Sequence, residues 1–166
     1  MEDTDIVHPE RLSLLSGIEE GFRTPAWYGV NLLTSIRRIK AQEASWRIAD
    51  DHPNIWELVV HCAYWKYVIW RKITGAKRSS FTLKGSDWFP RPLPELRTSE
   101  LEKAWKSDIA LLTEWHEKLV AAASEITASE LQAQNLAFYL RGVAQHDVYH
   151  IGQIQQIRRL YRTMNA

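Results

Sequence analysis

The sequence predicts an all-α protein, most simply a four-helix bundle, and two features of the chain support this. Apolar residues recur at helical spacing over long segments, and no run shows the alternation that is typical of a strand. The seven Gly and six Pro cluster at breaks between those segments. Four amphipathic helices bury their apolar faces by packing against one another, so residues 1–166 are expected to form a single domain.

Each predicted helix is bounded by one of these breaks. Leu32, Ile36 and Ile39 form the apolar stripe of the first long helix, and Glu102 is placed for a capping box at the start of the third. The predicted segments are a short helix over 8–23 and long helices over 27–46, 54–75, 98–126 and 129–161, the last with a break before residue 136. The connection 75–98 is too long for a tight hairpin and lets the second and third long helices run parallel.

Composition and charge exclude several classes of function. The chain has 21 basic and 20 acidic side chains, a balance that argues against electrostatic binding to nucleic acid or to an anionic membrane. No apolar stretch has the length of a signal peptide or a membrane span, so a cytoplasmic location is expected. The single Cys, Cys62, excludes a disulfide framework and a cysteine zinc cluster. A bound metal would therefore be held by His and carboxylate side chains.

Three of the six His lie on predicted core faces. On the fourth long helix, His146 and His150 are one turn apart in the middle of the apolar stripe, so both imidazoles face the same side. His61 is equally central on the second helix, whereas His8 and His116 are interpreted as incidental. A core His is usually satisfied by a hydrogen bond, but three that converge make an open site for zinc or a similar divalent ion. A metal site and structural His are both open readings here.

Several residues are candidates for the surroundings of this site. Gln153 could bond a metal-bound water or orient His150, or it could be an ordinary polar core residue. Glu57 could orient His61 or enter the coordination sphere, although a boundary glutamate that reaches solvent is the favoured interpretation. On the helical wheel Asp147 lies about 100° from His146 and is interpreted as a flanking residue. Tyr28, Trp27 and Trp88 could form the wall of the pocket. His52 could line its mouth, although an ordinary loop His is the favoured interpretation, and Trp65 is a further pocket candidate or a packing residue of the core stripe.

Two longer segments and two short motifs resemble the DinB/YfiT-like superfamily. The segment 142–154, GVAQHDVYHIGQI, is similar to the final-helix signature of that family. The segment 55–65, IWELVVHCAYW, is similar to its second-helix motif. The early segment 25–33 and the Asp87-Trp88 pair in the long connection also fit. The resemblance covers nearly the whole chain after residue 20.

The resemblance implies a four-helix bundle of up-down-down-up topology, with a divalent metal, nickel or zinc, held by His61, His146 and His150. Related proteins include S-transferases that use a low-molecular-weight thiol such as mycothiol, bacillithiol or glutathione. Others are described as metal-dependent hydrolases, and members often form homodimers. Close relatives often carry His where this chain has Tyr28, so the acid–base character of that position differs here.

These observations lead to three functional hypotheses. The first is a metal-dependent enzyme that acts on a small-molecule substrate, either as a thiol S-transferase or as a hydrolase. The second is a metal-containing binding or stress-response protein without turnover. The third is a plain helical bundle whose His are structural. A nucleic-acid partner is not expected, because no recognised binding module accompanies the basic clusters.

Overall fold

A computed structural model describes residues 9–78 and 81–165 of the chain. Within those ranges every regular element is a helix, and the one isolated bridge joins Ala26 to Gly29. The helices are α1 (Pro9–Phe22), α2 (Leu32–Ile36), α3 (Ala41–Ser45), α4 (Ile55–Thr74), α5 (Thr98–Ser124), α6 (Ala128–Ala133) and α7 (Leu136–Met164). None of these helices combines the length and the apolar character needed to cross a bilayer. The described part of the chain is therefore all-α, as predicted.

The N-terminal part of the helix prediction is wrong. The segment 27–46 is not one long helix, because it holds only the five-residue helices α2 and α3. Between them Arg38 adopts a φ of 66°, which is left-handed and ends any right-handed helix. Ile36 and Ile39 are nevertheless buried, so the apolar spacing indicated burial rather than a continuous helix. The segment predicted as a short helix forms the 14-residue α1, while residue 8 lies outside the described residues.

The start and the end of α4 agree with the prediction and have clear local causes. The Asn54 side chain accepts a hydrogen bond from the backbone N–H of Glu57 at 2.8 Å, and the Glu57 carboxylate accepts one from the backbone N–H of Asn54 at 3.1 Å. This reciprocal pair is a capping box. Gly75 ends the helix with a φ of 68°, a conformation that costs glycine little. The caps set the register in which His61 faces the interior.

The start of α5 agrees with the prediction, but a different glutamate forms its cap. Glu100, not Glu102, accepts a hydrogen bond from the backbone N–H of Arg97, at 3.0 Å. Glu102 lies one helical half-turn away and accepts from the backbone N–H of Ala41 at 2.9 Å. The cap is shifted because α5 begins at Thr98 and Arg97 precedes its first turn. Glu102 therefore joins α5 to the start of α3.

The predicted break before residue 136 is also present. Asn135 adopts a φ of 52° and separates α6 from α7. Asparagine tolerates this left-handed conformation better than most residues do. α7 then continues for 29 residues and carries both C-terminal His of the predicted site.

The four longest helices pack side by side around an apolar core. α4 contacts α5 and α7, and α1 contacts α7 and α5, so each long helix has two long neighbours. Indole and phenol rings fill the layer between α4 and α5, where the ring centroids of Trp56 and Trp105 are 5.4 Å apart. The largest buried side chains of this core are Trp56, Trp105, Trp115, Tyr67 and Phe22.

The long connection between α4 and α5 lies against α4. Phe81 and Phe89 pack on the Tyr64 ring, with centroid separations of 5.4 Å and 5.5 Å. The Tyr67 hydroxyl donates a hydrogen bond to the backbone oxygen of Arg78 at 2.5 Å. These aromatic contacts hold the described part of the connection over the helix that carries His61.

His116 is a core residue, although the sequence analysis did not place it on a predicted core face. Its ring is fully buried and stacks on Phe22 with a centroid separation of 3.7 Å. Burial, together with the positive charges of Lys66 and Arg23, lowers the pKa of His116 to about 2. The imidazole is therefore neutral in the folded protein under all but strongly acidic conditions.

We expect His116→Gln to reduce the acid sensitivity of the fold. The unfolded chain protonates this His near its ordinary pKa of 6.5, whereas the folded chain does not, so stability is lost as the pH falls below about 6.5. The wild-type protein should lose about 1.4 kcal/mol more per pH unit than the variant in this range. Urea unfolding at pH 7 and pH 5 measures the difference. Equal losses in the two proteins would contradict the prediction.

Candidate metal centre

Three imidazoles meet between α4 and α7. His61 comes from α4, and His146 and His150 lie one turn apart on α7. The Nε2 atom of His146 is 3.0 Å from Nε2 of His61 and 3.0 Å from Nε2 of His150. His61 and His150 are buried and His146 is half-buried. Three nitrogen atoms thus point at one place and could hold a metal ion.

Hydrogen bonds set the tautomers of two of these rings. His61 Nδ1 lies 2.9 Å from the backbone oxygen of Asp87, and His150 Nδ1 lies 2.6 Å from Gln153 Oε1. Because both partners are acceptors, each Nδ1 donates, and each Nε2 of a neutral ring is unprotonated. Only His146 is left to contribute a proton among the three Nε2 atoms. A metal cation can bind the lone pairs of all three Nε2 atoms, whereas the one proton cannot be shared among all three.

The spacing and the chemistry of the donors fit a divalent metal. Zinc–imidazole bonds of about 2.0–2.1 Å in a tetrahedron place the ligand nitrogens about 3.4 Å apart. This is close to the 3.0 Å between the Nε2 atoms of His146 and each neighbouring His. Three protein ligands also leave one tetrahedral position open, as in catalytic rather than structural zinc sites. An all-imidazole set suits nickel as well as zinc.

Burial keeps the three rings in the form that binds metal. Loss of solvation, together with repulsion from the other two His and from Lys66, lowers the pKa of His146 to about 3. Burial lowers the pKa of His150 to about 4 and also lowers the pKa of His61. Metal ligation requires neutral imidazole. At neutral pH the three rings therefore need no deprotonation before a metal binds.

The long connection supplies a clamp on His61, formed by Asp87 and Trp88. Asp87 has a φ of 66°, and its backbone oxygen lies 2.9 Å from His61 Nδ1. Its carboxylate accepts a hydrogen bond from the Trp65 indole N–H at 2.9 Å. Trp88 stacks on the His61 ring with a centroid separation of 4.0 Å and an interplanar angle of 11°. The clamp fixes both the rotation and the tautomer of the imidazole.

We expect Asp87→Ala to weaken metal binding by about tenfold and Asp87→Asn to leave it nearly unchanged. Alanine removes the acceptor for Trp65 and strains a backbone with a φ of 66°. Asparagine keeps an acceptor oxygen and tolerates that backbone. Calorimetric titration of the apoproteins with zinc measures both affinities. The prediction fails if the alanine variant binds zinc as tightly as the wild-type protein.

Two other predicted residues lie beside the cluster, and His52 lies away from it. Gln153 holds His150 through the 2.6 Å hydrogen bond described above. The Trp65 ring lies 6.0 Å from His146, centroid to centroid. The His52 side chain is exposed and bonds Asp51, and the pocket that it lines with Gln153 includes none of the three His. The structure thus brings Gln153 and Trp65 to the site and leaves His52 outside it.

Glu57 and Tyr28 lie away from the three His. The Glu57 carboxylate is buried and forms two hydrogen bonds with the Arg47 guanidinium, at 2.7 Å and 2.8 Å, so it neither reaches solvent freely nor orients His61. Tyr28 lines a separate groove between α1 and α7, beside Glu20. The adjacent Trp27 is fully exposed. Of the three aromatic residues proposed as a pocket wall, Trp88 alone is in contact with the His cluster.

A buried ion pair lies behind the cluster, and the sequence interpretation missed it. Lys66 Nζ on α4 donates to the carboxylate of Asp147 on α7, and neither side chain is more than 1% exposed. Asp147 is therefore a core residue and not a flanking one, because α7 is covered by α1 as well as by α4. Cys62 is buried beside this carboxylate. The signal available in the sequence was Lys66, a single cation within the apolar run of α4.

The fold and this site together define a class: all-α proteins with a buried cluster of three His that could hold a metal ion. Residues 30–154, which include all three His, match the family model of the DinB superfamily. The chain belongs to the DinB superfamily. No curated protein and no solved structure is significantly similar to the chain.

Proposed function

We propose that this protein is a metal-dependent enzyme in which His61, His146 and His150 hold one divalent ion, nickel or zinc. The convergence of the three Nε2 atoms, two of them held unprotonated, is the observation that carries the proposal. A bound ion with an open position lowers the pKa of a thiol or a water and so supplies the nucleophile. The reaction is a transfer of a low-molecular-weight thiol to a small electrophile or, alternatively, a hydrolysis.

In the proposed reaction the protein groups around the ion site orient the metal ligands and form no covalent bond with the substrate. The Asp87 backbone oxygen and the Gln153 side chain keep the lone pairs of His61 and His150 pointed at the ion site. Trp88 covers one face of His61 and limits the access of water from that side. Ring orientation and water exclusion both favour a reaction at the open position.

We also propose the up-down-down-up topology for the four long helices, in a four-helix bundle. The support comes from pairs of residues that are in contact. α4 and α7 are antiparallel, because they are joined by His61 with His150 and by Lys72 with Tyr139. α1 and α5 are antiparallel, because contacts join Arg11 with Ile126 and Arg23 with Glu117 at their ends. α4 and α5 are parallel, because they are joined by Trp56 with Trp105 and by Trp70 with Trp115.

The experiment that tests the proposed activity uses untagged protein loaded with zinc or nickel. A panel of thiols is incubated with small electrophiles, and the loss of free thiol is followed; a panel of esters and amides is assayed without thiol. His61→Ala should abolish turnover, while His52→Ala, at an exposed His, should retain it. Thiol consumption supports the transferase, and thiol-independent cleavage supports the hydrolase.

One outcome of this experiment favours a different class of function. Full metal loading without turnover in either panel would support a metal-containing binding or stress-response protein. Failure to bind either metal at one ion per chain would contradict both functions and leave the three His as structural residues.

A further inference from the structure

An apolar pocket of about 240 Å³ opens between α4 and α7, directly beside the His cluster. His146 forms part of its wall, so one side chain belongs both to the candidate metal centre and to the pocket. The other lining residues are aromatic, aliphatic or glycine: Trp65, Ile69, Phe138, Tyr139, Gly142 and Val143. The pocket therefore combines an apolar interior with a direct connection to a metal ligand.

The lining of this pocket is mostly apolar. The Trp65 indole N–H donates to Asp87, so this ring presents its carbon surface to the pocket. The ammonium group of Lys72 lies 4.1 Å from the centroid of the Tyr139 ring. His146 Nδ1 is buried and has no hydrogen-bond partner among the described residues. Such a lining offers mainly dispersion and ring-stacking contacts.

The volume indicates the size of the group that fits. A dry cavity of about 150 Å³ lined by apolar side chains accommodates benzene. A pocket of about 240 Å³ therefore accommodates a phenyl ring together with a short substituent. A substituent directed at His146 would bring a reactive atom towards the His cluster.

We propose that this pocket binds the aromatic part of the substrate, so that the substrate class is a small aryl or arylalkyl compound. The inference rests on the proposed metal-dependent function and adds a specificity determinant to it. Phe138 and Tyr139, at the start of α7, form the aromatic wall. His146 is where the pocket meets the metal centre.

Gly142 allows the pocket to be filled without disturbing the core. A Cβ atom added at Gly142 meets no other atom within 4 Å, and the residue lies within helical α7. Gly152, ten residues later on the same helix, has equally free space but does not line this pocket. Gly142→Leu and Gly152→Leu are therefore matched variants: both replace a helical glycine, and only the first reduces the pocket.

The test uses the full chain loaded with cobalt(II) as a spectroscopic probe. Benzyl mercaptan and 2-mercaptoethanol are titrated separately, and the change in cobalt absorption reports binding of each thiol. The wild-type protein should bind benzyl mercaptan at least about tenfold more tightly, because burial of a phenyl group is worth that factor or more. Gly142→Leu should remove this preference and leave 2-mercaptoethanol affinity unchanged, and Gly152→Leu should change neither.

A second variant keeps the test valid if Gly142→Leu fails to fold. Phe138 is 60% exposed, so Phe138→Ala should fold normally and still reduce the preference for benzyl mercaptan. Equal affinity for the two thiols in the wild-type protein, or a preference that survives both Gly142→Leu and Phe138→Ala, would overturn the proposal while the metal site stands.

Absence of any thiol-dependent change in the cobalt spectrum would contradict the open metal position and thus the proposed function. In that case saturation-transfer NMR measures whether benzyl alcohol binds to the pocket in the same proteins. A signal in the wild-type protein that is lost in Gly142→Leu and kept in Gly152→Leu supports the pocket. A signal that is absent, or unchanged in Gly142→Leu, overturns it.

Discussion

His146→Ala is expected to abolish the binding of one divalent metal ion per chain. The Nε2 atom of His146 lies 3.0 Å from Nε2 of both other His, so it is the central donor of the three. Loss of a hydrogen-bonding partner of a metal ligand already costs about 10–100-fold in metal affinity, and loss of a ligand itself should cost more. Equilibrium dialysis followed by elemental analysis, with zinc at micromolar concentration, measures the bound metal.

His52→Ala is the matched control for this variant. The His52 side chain is exposed and its described hydrogen bond is to the neighbouring Asp51, so its removal should leave metal content unchanged. Thermal unfolding provides an independent measurement. Zinc at about 100 times its dissociation constant should stabilise the wild-type protein and His52→Ala by about 2.7 kcal/mol, and should not stabilise His146→Ala. Wild-type metal content in His146→Ala would refute the three-His site.

Lys66→Met is expected to destabilise the fold by about 3–5 kcal/mol. Lys66 is 1% exposed and Asp147 is fully buried, so removal of the ammonium group leaves a carboxylate in the core without its counter-ion. Methionine matches the length of the lysine stem, so most of the loss comes from the charge, which also lies 5.1 Å from the centroid of the Phe22 ring. Chemical denaturation at pH 7, with and without the substitution, measures the free energy of unfolding.

The same substitution at an exposed ion pair is the control. Lys118 pairs with Glu114 one turn away, and both side chains are more than 40% exposed. Lys118→Met should therefore change stability by at most about 1 kcal/mol. The double variant Lys66→Met/Asp147→Leu should recover much of the lost stability, because neither charge is then left unpaired. A loss in Lys66→Met no larger than that in Lys118→Met would contradict the assignment.

The ion pair explains why α4 and α7 meet in one register. Lys66 lies five residues after His61, and Asp147 directly follows His146. A pairing of these charges places the two segments that carry the His against each other. A slip of either helix by one turn would separate the buried charges, which is costly in an apolar environment. The polar core thus supports the geometry of the candidate metal centre.

Much of the fold and of the candidate site could be predicted from local patterns. The bounds of α4 follow from Asn54 and Gly75, which act on their own helix ends. The spacing of His146 and His150 places both rings on one face of α7 whatever packs against it. Such features depend on a few neighbouring residues, so the sequence contains all the information that they require.

The errors concern residues whose environment depends on distant segments. Asp147 was interpreted as a flanking residue and His116 was not placed on a core face, because a helical wheel considers one buried stripe, whereas α7 and α5 each pack against more than one long helix. Glu57 was considered as a partner of His61, yet Arg47 takes its carboxylate. Tyr28 was placed at the pocket, and it lies in a separate groove.

The sequence by itself determined the helical class, the bounds of α4 and the placement of the three His on core faces, because periodicity and capping are local physical effects. Only the tertiary structure decided that the three Nε2 atoms meet, that Asp87 and Trp88 clamp His61, and that an apolar pocket opens beside His146. These features arise where segments far apart in the chain come together. Their geometry depends on helix packing and on the path of the long connection, which no local pattern specifies.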